Sequence, residues 1–557
     1  MSVRFAGSES LIRAVQTAFK AIKLQGMHSS NSTVRRGTFF FLVLLSGIVY
    51  GQSDLFVSSG DTLVVTPGHI LHVNGSASGS GYIDLQADAT AYSQLSQTDD
   101  VSNSVNLILG KRMASSTDGW RYMAFPFSGT FADLNFNSTM PFIHTANDGG
   151  IPARHNFFAW NSTDAGGSAA TGWESVSSNH SLPAAASVYL ANNGVHDFSQ
   201  DIQVSGTPFN GEVTFSLYYT LDPAFSGGVQ ADASGWNYIP NPYPSNLSLN
   251  VLLNAACFPG YKAVHVWDQS TGQFVAVLPS GVAINYNTSG SNNNSTTHIA
   301  PLEGFWVKAD NSGNSLILTN AMRDAEGTAT AFYKKDPELL RLNLIDNHGR
   351  VDQVVVYFDP AASTSYDLGL EALKRVGDQN APQMAVIEGA REISIAALPS
   401  GSHSLPLKVA VPRANMNYSF ALNDDDMDTW SSVELEDKQT GQRYDLRALK
   451  TADFNLASNV IDDRFVLHIN KSGVAISESE QLDDELQAWQ NTEGLLLIQG
   501  GAQTEGTVQV CNLNGQVLFT ETLERGQDLV LSSSLAPGIY FIYLSKSNSQ
   551  PLKVLIQ

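Results

Sequence analysis

Asp118-Gly-Trp-Arg-Tyr-Met-Ala-Phe-Pro-Phe-Ser128 and Ser234-Gly-Trp-Asn-Tyr-Ile-Pro-Asn-Pro-Tyr-Pro-Ser245 decide how this chain folds. Both open on Gly-Trp, place a Tyr two residues later, and run into a proline–aromatic turn. Aromatic residues alternating with small or polar ones have the period of a half-buried strand. Pro126, Pro240, Pro242 and Pro244 lack the N–H that a central strand needs, so each strand stops at its proline. A second strand ending in tryptophan follows each motif, Phe157-Phe-Ala-Trp160 and Val264-His-Val-Trp267. A third follows in turn, Ala186-Ser-Val-Tyr-Leu190 and Gly304-Phe-Trp-Val-Lys308. The same order twice, with loops of different length, reads as a duplicated β module. The copies are expected at 106–205 and 206–330, after an N-terminal β segment at 52–105.

Further along, Arg341-Leu-Asn-Leu-Ile345 alternates, turns at Asp346-Asn-His-Gly349 and resumes as Gln353-Val-Val-Val-Tyr-Phe358, a hairpin with a glycine in its loop. Strands are expected at 392–396, 405–411, 418–422, 432–435 and 464–469. Short strands at regular spacing suggest a sandwich over 331–472. An acidic, apolar-poor linker follows at 473–485.

Composition agrees with an all-β extracellular chain. Of 557 residues, 43% are hydrophobic and only 15% charged, so real cores can form. Residues 1–51 hold six Lys/Arg and one acid, which leaves the remainder at −27 of the overall −22. Such a surface repels phosphate backbones, and no nucleic-acid partner is expected. The two cysteines, Cys257 and Cys511, build neither a disulfide framework nor a zinc site. Cys511 lies in an alternating run and is expected to be a buried small apolar residue.

Arg35-Arg36, the apolar run Thr38 to Val49 and Gly51-Gln52 have the plan of a signal peptide cleaved after Gly51, with Met27 as a second candidate start. The run is too short to span a bilayer. No transmembrane segment is expected in the mature chain.

No nucleophile elbow, zinc helix or phosphate loop occurs. His69 and His72 stand three apart, so on a strand they point to opposite faces and cannot share a metal. Asp424, Asp426 and Asp428 place carboxylates at alternate positions, which fits either a solvated turn or a loose calcium site. An EF-hand fails there, with Thr429 and Leu435 at its sixth and twelfth positions. No other cofactor is indicated. Trp120, Trp160, Trp236, Trp267 and Trp306 fit inter-sheet packing, or stacking on sugar rings. The expected function is a non-enzymatic surface protein, adhesive or structural. The alternatives are a glycan-binding module for polysaccharide capture, or a hydrolase whose carboxylates meet only in space.

The last segment is more specific. Gly506-Thr-Val-Gln-Val-Cys-Asn-Leu-Asn-Gly-Gln-Val-Leu518 is followed by Gly526-Gln-Asp-Leu-Val-Leu-Ser-Ser-Ser-Leu-Ala-Pro-Gly-Ile-Tyr-Phe-Ile-Tyr-Leu544, and the chain ends in Lys553-Val-Leu-Ile-Gln557. Val508, Val510, Val517, Phe519, Leu529, Leu531, Tyr540 and Ile542 supply inward positions for a sandwich of about seven strands. This segment, 486–557, resembles the type A C-terminal sorting domain of Bacteroidetes proteins exported by the type IX secretion system. The resemblance rests on Asn514, Gly515, Leu535, Pro537, Gly538, Tyr540 and Lys553. The stretch 106–472 more loosely resembles large β-rich, adhesin-like surface proteins of the same group. The resemblance implies recognition by the outer-membrane translocon, passage through the periplasm to the cell surface or beyond, and a partner in surface polysaccharide. The fold expected overall is all-β: several tandem sandwich-like modules with a small C-terminal immunoglobulin-like sandwich.

Overall fold

The computed structural model describes residues 41–556 with interruptions, the longest at 138–146, 163–172, 191–200, 220–234, 287–296, 325–338 and 472–486. Most of the expected signal peptide lies outside the described residues, as do Asn514, Gly515, Pro537, and the acidic run with Asp424, Asp426 and Asp428. The chain is of the all-β class, 56% strand and 4% helix, and divides into two units, residues 1–471 and 472–557.

The N-terminal segment is a parallel β solenoid and not a sandwich. Thr62–Val65, Tyr82–Leu85 and Asn106–Arg112 stack in parallel, with Leu63 over Ile83 and Ile83 over Leu107. Ile70–Val73 lies over Gln94–Gln97 in a second stack, and Leu55–Phe56 over Ala77–Ser78 in a third. Each coil presents Leu, Val or Ile to the same axis, and Leu55, Val73, Ile83, Leu85, Leu95, Leu107 and Leu109 fill it. Phe41–Leu42 and Val49–Gly51 add one further pair of parallel strands, against Leu63-Val64 and Leu71–Val73. These strands fall within the segment expected to be cleaved. Asn106–Arg112, assigned by sequence to the first module, therefore belongs to the solenoid sheet. Asp201–Gly206 pairs antiparallel on its open edge.

The two aromatic motifs build sheets of one topology. In the first, Gly119–Ala124 pairs with Ala185–Leu190, that strand with Phe157–Trp160, and that one with Trp173–Ser175. In the second the order is Trp236–Pro240, Gly304–Lys308, Val264–Asp268 and Gln273–Val277. The registers agree position by position. Trp120 is opposite Tyr189 as Trp236 is opposite Lys308, and Trp160 is opposite Trp173 as Trp267 is opposite Phe274. The Gly-Trp pair has a backbone reason in the second copy. Gly235 sits at φ +81°, and a Cβ there would lie 2.5 Å from the Ala309 carbonyl oxygen. In the following proline-rich turn, the buried Asn241 amide reaches the carbonyls of Ser245, Ile299 and Ala300. It thus supplies donors to a turn whose prolines have none.

Residues 339–471 form one eleven-stranded sheet. The expected hairpin is present, Leu339–Asp346 with Val351–Phe358. A sandwich would need two sheets. Here Val351–Phe358 continues by parallel pairing to Arg391–Leu398, and the twisted sheet rolls over its own interior. Leu342, Val354, Val356, Phe420, Phe465 and Leu467 fill that interior. The two end strands, Gln442–Asp445 and Thr451–Leu456, are joined by the four-residue helix Leu446–Leu449. Val354-Val-Val-Tyr-Phe358 reads as a continuous apolar run because both faces of the strand are covered. Val354 and Val356 point into the roll, while Val351, Val355 and Tyr357 pack with the second aromatic copy.

The described residues of the C-terminal unit form seven strands in two sheets. Gln487–Gln490, Leu496–Gln499 and Asp528–Val530 form one; Val517–Leu523, Gly506–Asn512, Gly538–Leu544 and Leu552–Ile556 form the other. They share one core of Leu496, Ile498, Val508, Val510, Leu531, Tyr540 and Ile542. Cys511 is buried. Val517 corrects the expectation, being 46% exposed. The register slips by one residue between Val510 and Cys511, so alternation counted through the Asn-Gly turn fails at Val517.

Candidate functional site

Four of the five tryptophans singled out as ligand contacts, Trp160, Trp236, Trp267 and Trp306, meet at the seam between the two copies. Tyr122 of the first sheet packs on Tyr238, Trp267, Phe274 and Trp306 of the second, at centroid distances of 5.2–5.9 Å. Trp160 stands edge-on to Trp306 at 4.8 Å, and its indole N–H donates to the Trp236 carbonyl at 2.9 Å. Tyr238 donates its hydroxyl to the Met123 carbonyl, binding the copies again. Edge-to-face contacts of this kind add attraction beyond the area they bury.

Trp236 is 4% exposed and Trp306 1%. This corrects the stacking assignment for both, because a sugar needs an open ring face and these faces are covered. Trp160 and Trp267 are half-buried in the same cluster. Trp120 lies at the start of its strand, and its side chain falls outside the described residues. A cation completes the seam from the rolled sheet. The Arg375 guanidinium lies 3.6 Å from the Trp306 centroid, 4.7 Å from Trp236 and 4.8 Å from Phe274. Burial lowers its pKa to about 10. It remains charged at neutral pH, with aromatic faces in place of water.

Two further buried polar groups hold this unit together. His265 Nε2 and the Tyr261 hydroxyl are hydrogen-bonded at 2.7 Å, and that hydroxyl accepts from Leu373 N–H. Burial, with Arg375, Lys374 and Lys308 nearby, holds His265 neutral, well below the usual histidine range. Arg323 donates to Ser245 Oγ, Asn210 Oδ1, Asn320 Oδ1 and the Leu95 carbonyl while lying 4.9 Å over the Tyr243 ring. One side chain thus ties the solenoid to the second copy. Neither group was visible in the sequence, since their partners are far away along the chain.

His69 bonds to its own turn at Thr66 and Pro67, and His72 bonds to Asn74. Among the described residues no three His, Cys, Asp or Glu are grouped to hold a metal, and no helix is long and apolar enough to cross a membrane.

In the C-terminal sandwich Tyr540 is buried and Leu535 packs partly on the core. Gly538 opens the strand Gly538–Leu544, and Lys553 lies in the terminal strand Leu552–Ile556, opposite Phe541. The named motif positions described here thus sit in or beside the two paired C-terminal strands. Residues 492–557 match the secretion system C-terminal sorting domain. The protein is exported to the cell surface or the extracellular space, and this domain engages the type IX machinery.

No curated protein matches the chain. Two solved structures share little with it. The tetra-tandem repeat in the extending region of a large adhesion protein is 8% identical, covering 52% of this chain and 89% of its own, at a TM-score of 0.09. The BSP domain of a biofilm-associated protein is 9% identical over 81% and 92%, at a TM-score of 0.11. Scores this low carry no argument about fold or role. The body is another matter: residues 43–469 match a single family along their whole length, and the chain belongs to that family, described as Domain of unknown function (DUF8693).

Proposed function

We propose that residues 52–471 are a non-enzymatic adhesive or structural passenger, and that the C-terminal sandwich is its export address. One observation carries this reading. The sandwich has a core of its own and matches a sorting domain, while the body's candidate ligand-binding aromatics at the seam are used in its own packing. A surface protein that bears load needs that kind of interior, where solenoid, duplicated sheets and rolled sheet share continuous cores. In this reading the translocon delivers the chain and the sandwich is removed at the surface. The body is then released or tied to surface polysaccharide.

Attachment assays test the adhesive part. Cells producing a chain truncated after residue 485 should attach to surfaces and to one another as poorly as cells lacking the chain. Undiminished attachment in the complete deletion, under conditions where the protein is made, would remove the adhesive reading.

A further inference from the structure

Asp352 and Lys374 form the most enclosed ion pair described in the body. Their side chains are 0% and 3% exposed, and Lys374 Nζ lies 2.6 and 2.5 Å from the two Asp352 oxygens. Met384 N–H donates to Asp352 Oδ2 at 2.5 Å, and the Tyr286 hydroxyl lies 3.2 Å from Oδ1. The lysine nitrogen is thus held, shielded from water, against the carboxyl group it would have to attack. Once it has given up a proton, a lysine amine is a nucleophile. A third group stands close by. Glu392 holds Lys408 through Oε1, while its buried Oε2 has no hydrogen-bond partner. A small recess lined by Lys374, Gln383, Glu392 and Lys408 lies between the two.

We infer that Lys374 and Asp352 become joined by an isopeptide bond in the folded protein, with Glu392 carrying the protons. The ammonium gives up a proton, and its lone pair attacks Asp352 Cγ to form the C–N bond. Met384 N–H holds Oδ2, the oxygen that stays and takes up negative charge. The C–Oδ1 bond breaks, and Oδ1, which the Tyr286 hydroxyl contacts, takes up the two protons from the ammonium and leaves as water. Overall, one ammonium and one carboxylate become one amide and one water, with no oxidant and no change in net charge. Glu392 suits the relay because its buried Oε2 is left without a hydrogen bond and burial raises its pKa, which favours taking up a proton. The bond would pin the segment after Ala372–Leu373 to the strand Val351–Phe358. Both cysteines are free, so no disulfide does this work.

Intact-mass and peptide mass spectrometry of the folded, exported protein test this. The expected mass is lower by about 18 Da, and digestion should yield one branched peptide containing Asp352 and Lys374. Lys374→Arg keeps the charge pairing and should show the full mass. Glu392→Gln should fold, by circular dichroism, and lose water at least tenfold more slowly. Full mass in the folded parent would overturn the inference. So would a loss of water that leaves two linear peptides, as a succinimide does. Loss at the parental rate in Glu392→Gln would overturn the role of Glu392.

Discussion

Arg323→Met is expected to lower the unfolding free energy of the body by about 3–5 kcal/mol, as loss of one partner does in other buried charged networks. Methionine keeps an apolar stem over Tyr243, so packing is largely retained and the lost donors dominate. Four acceptors lose a donor at once, Ser245 Oγ, Asn210 Oδ1, Asn320 Oδ1 and the Leu95 carbonyl, of which Asn320 Oδ1 keeps the Gly211 N–H. A buried acceptor without a partner costs about 1–3 kcal/mol, and those that can turn to a second donor will cost less. The Leu95 carbonyl cannot turn, since it belongs to the stacked strand Gln94–Gln97. Against this stands the relief of desolvating a guanidinium, whose pKa burial lowers to about 9. That relief keeps the expected value below the sum of the lost bonds. Urea unfolding of the full chain, followed by near-UV circular dichroism, reads the body's transition. A change under about 1 kcal/mol would show that the solenoid and the second copy do not depend on this side chain.

Trp306→Ala is expected to cost a similar 3–5 kcal/mol, the range for truncating a fully buried large aromatic. Trp306 touches Tyr122 and Trp160 from the first copy, Tyr238 and Phe274 from its own, and Arg375 from the rolled sheet. Its removal leaves a cavity where three parts of the body meet and exposes one face of a buried cation. The same variant separates packing from ligand binding. A stability near that of the parent, together with lost binding on a glycan array, would mean that the ring acts as a sugar platform after all.

The duplication was legible because its signal is local. Gly-Trp, a Tyr two residues on and a proline turn lie within a dozen positions, and the strand order follows from repeating them. The C-terminal core was legible for the same reason, through Val508, Val510, Tyr540 and Ile542. Val517 was not, because a one-residue slip between paired strands leaves no mark in either strand alone. The solenoid escaped notice because its strands are two to seven residues long, too short for alternation to stand out, and each pairs with a strand one coil away. The rolled sheet gave up most of its strands but not their order, which depends on a parallel pairing between Val351–Phe358 and Arg391–Leu398. Trp236 and Trp306 were singled out as candidate contacts, and only the fold shows them covered, Trp306 by Tyr122 and Trp160 of the first copy and both rings by Arg375. Asp352, Lys374 and Glu392 form no sequence motif, since their spacing exists only in the folded sheet.

The claim on which the account stands is that the C-terminal sandwich is a self-sufficient address. Fusing residues 477–557 to a foreign soluble protein, in a host with a working type IX system, and measuring the fraction at the cell surface or in the medium tests it most directly. The account predicts that most of the fusion leaves the periplasm and that the foreign protein without these residues does not. A fusion that folds and remains periplasmic would contradict it.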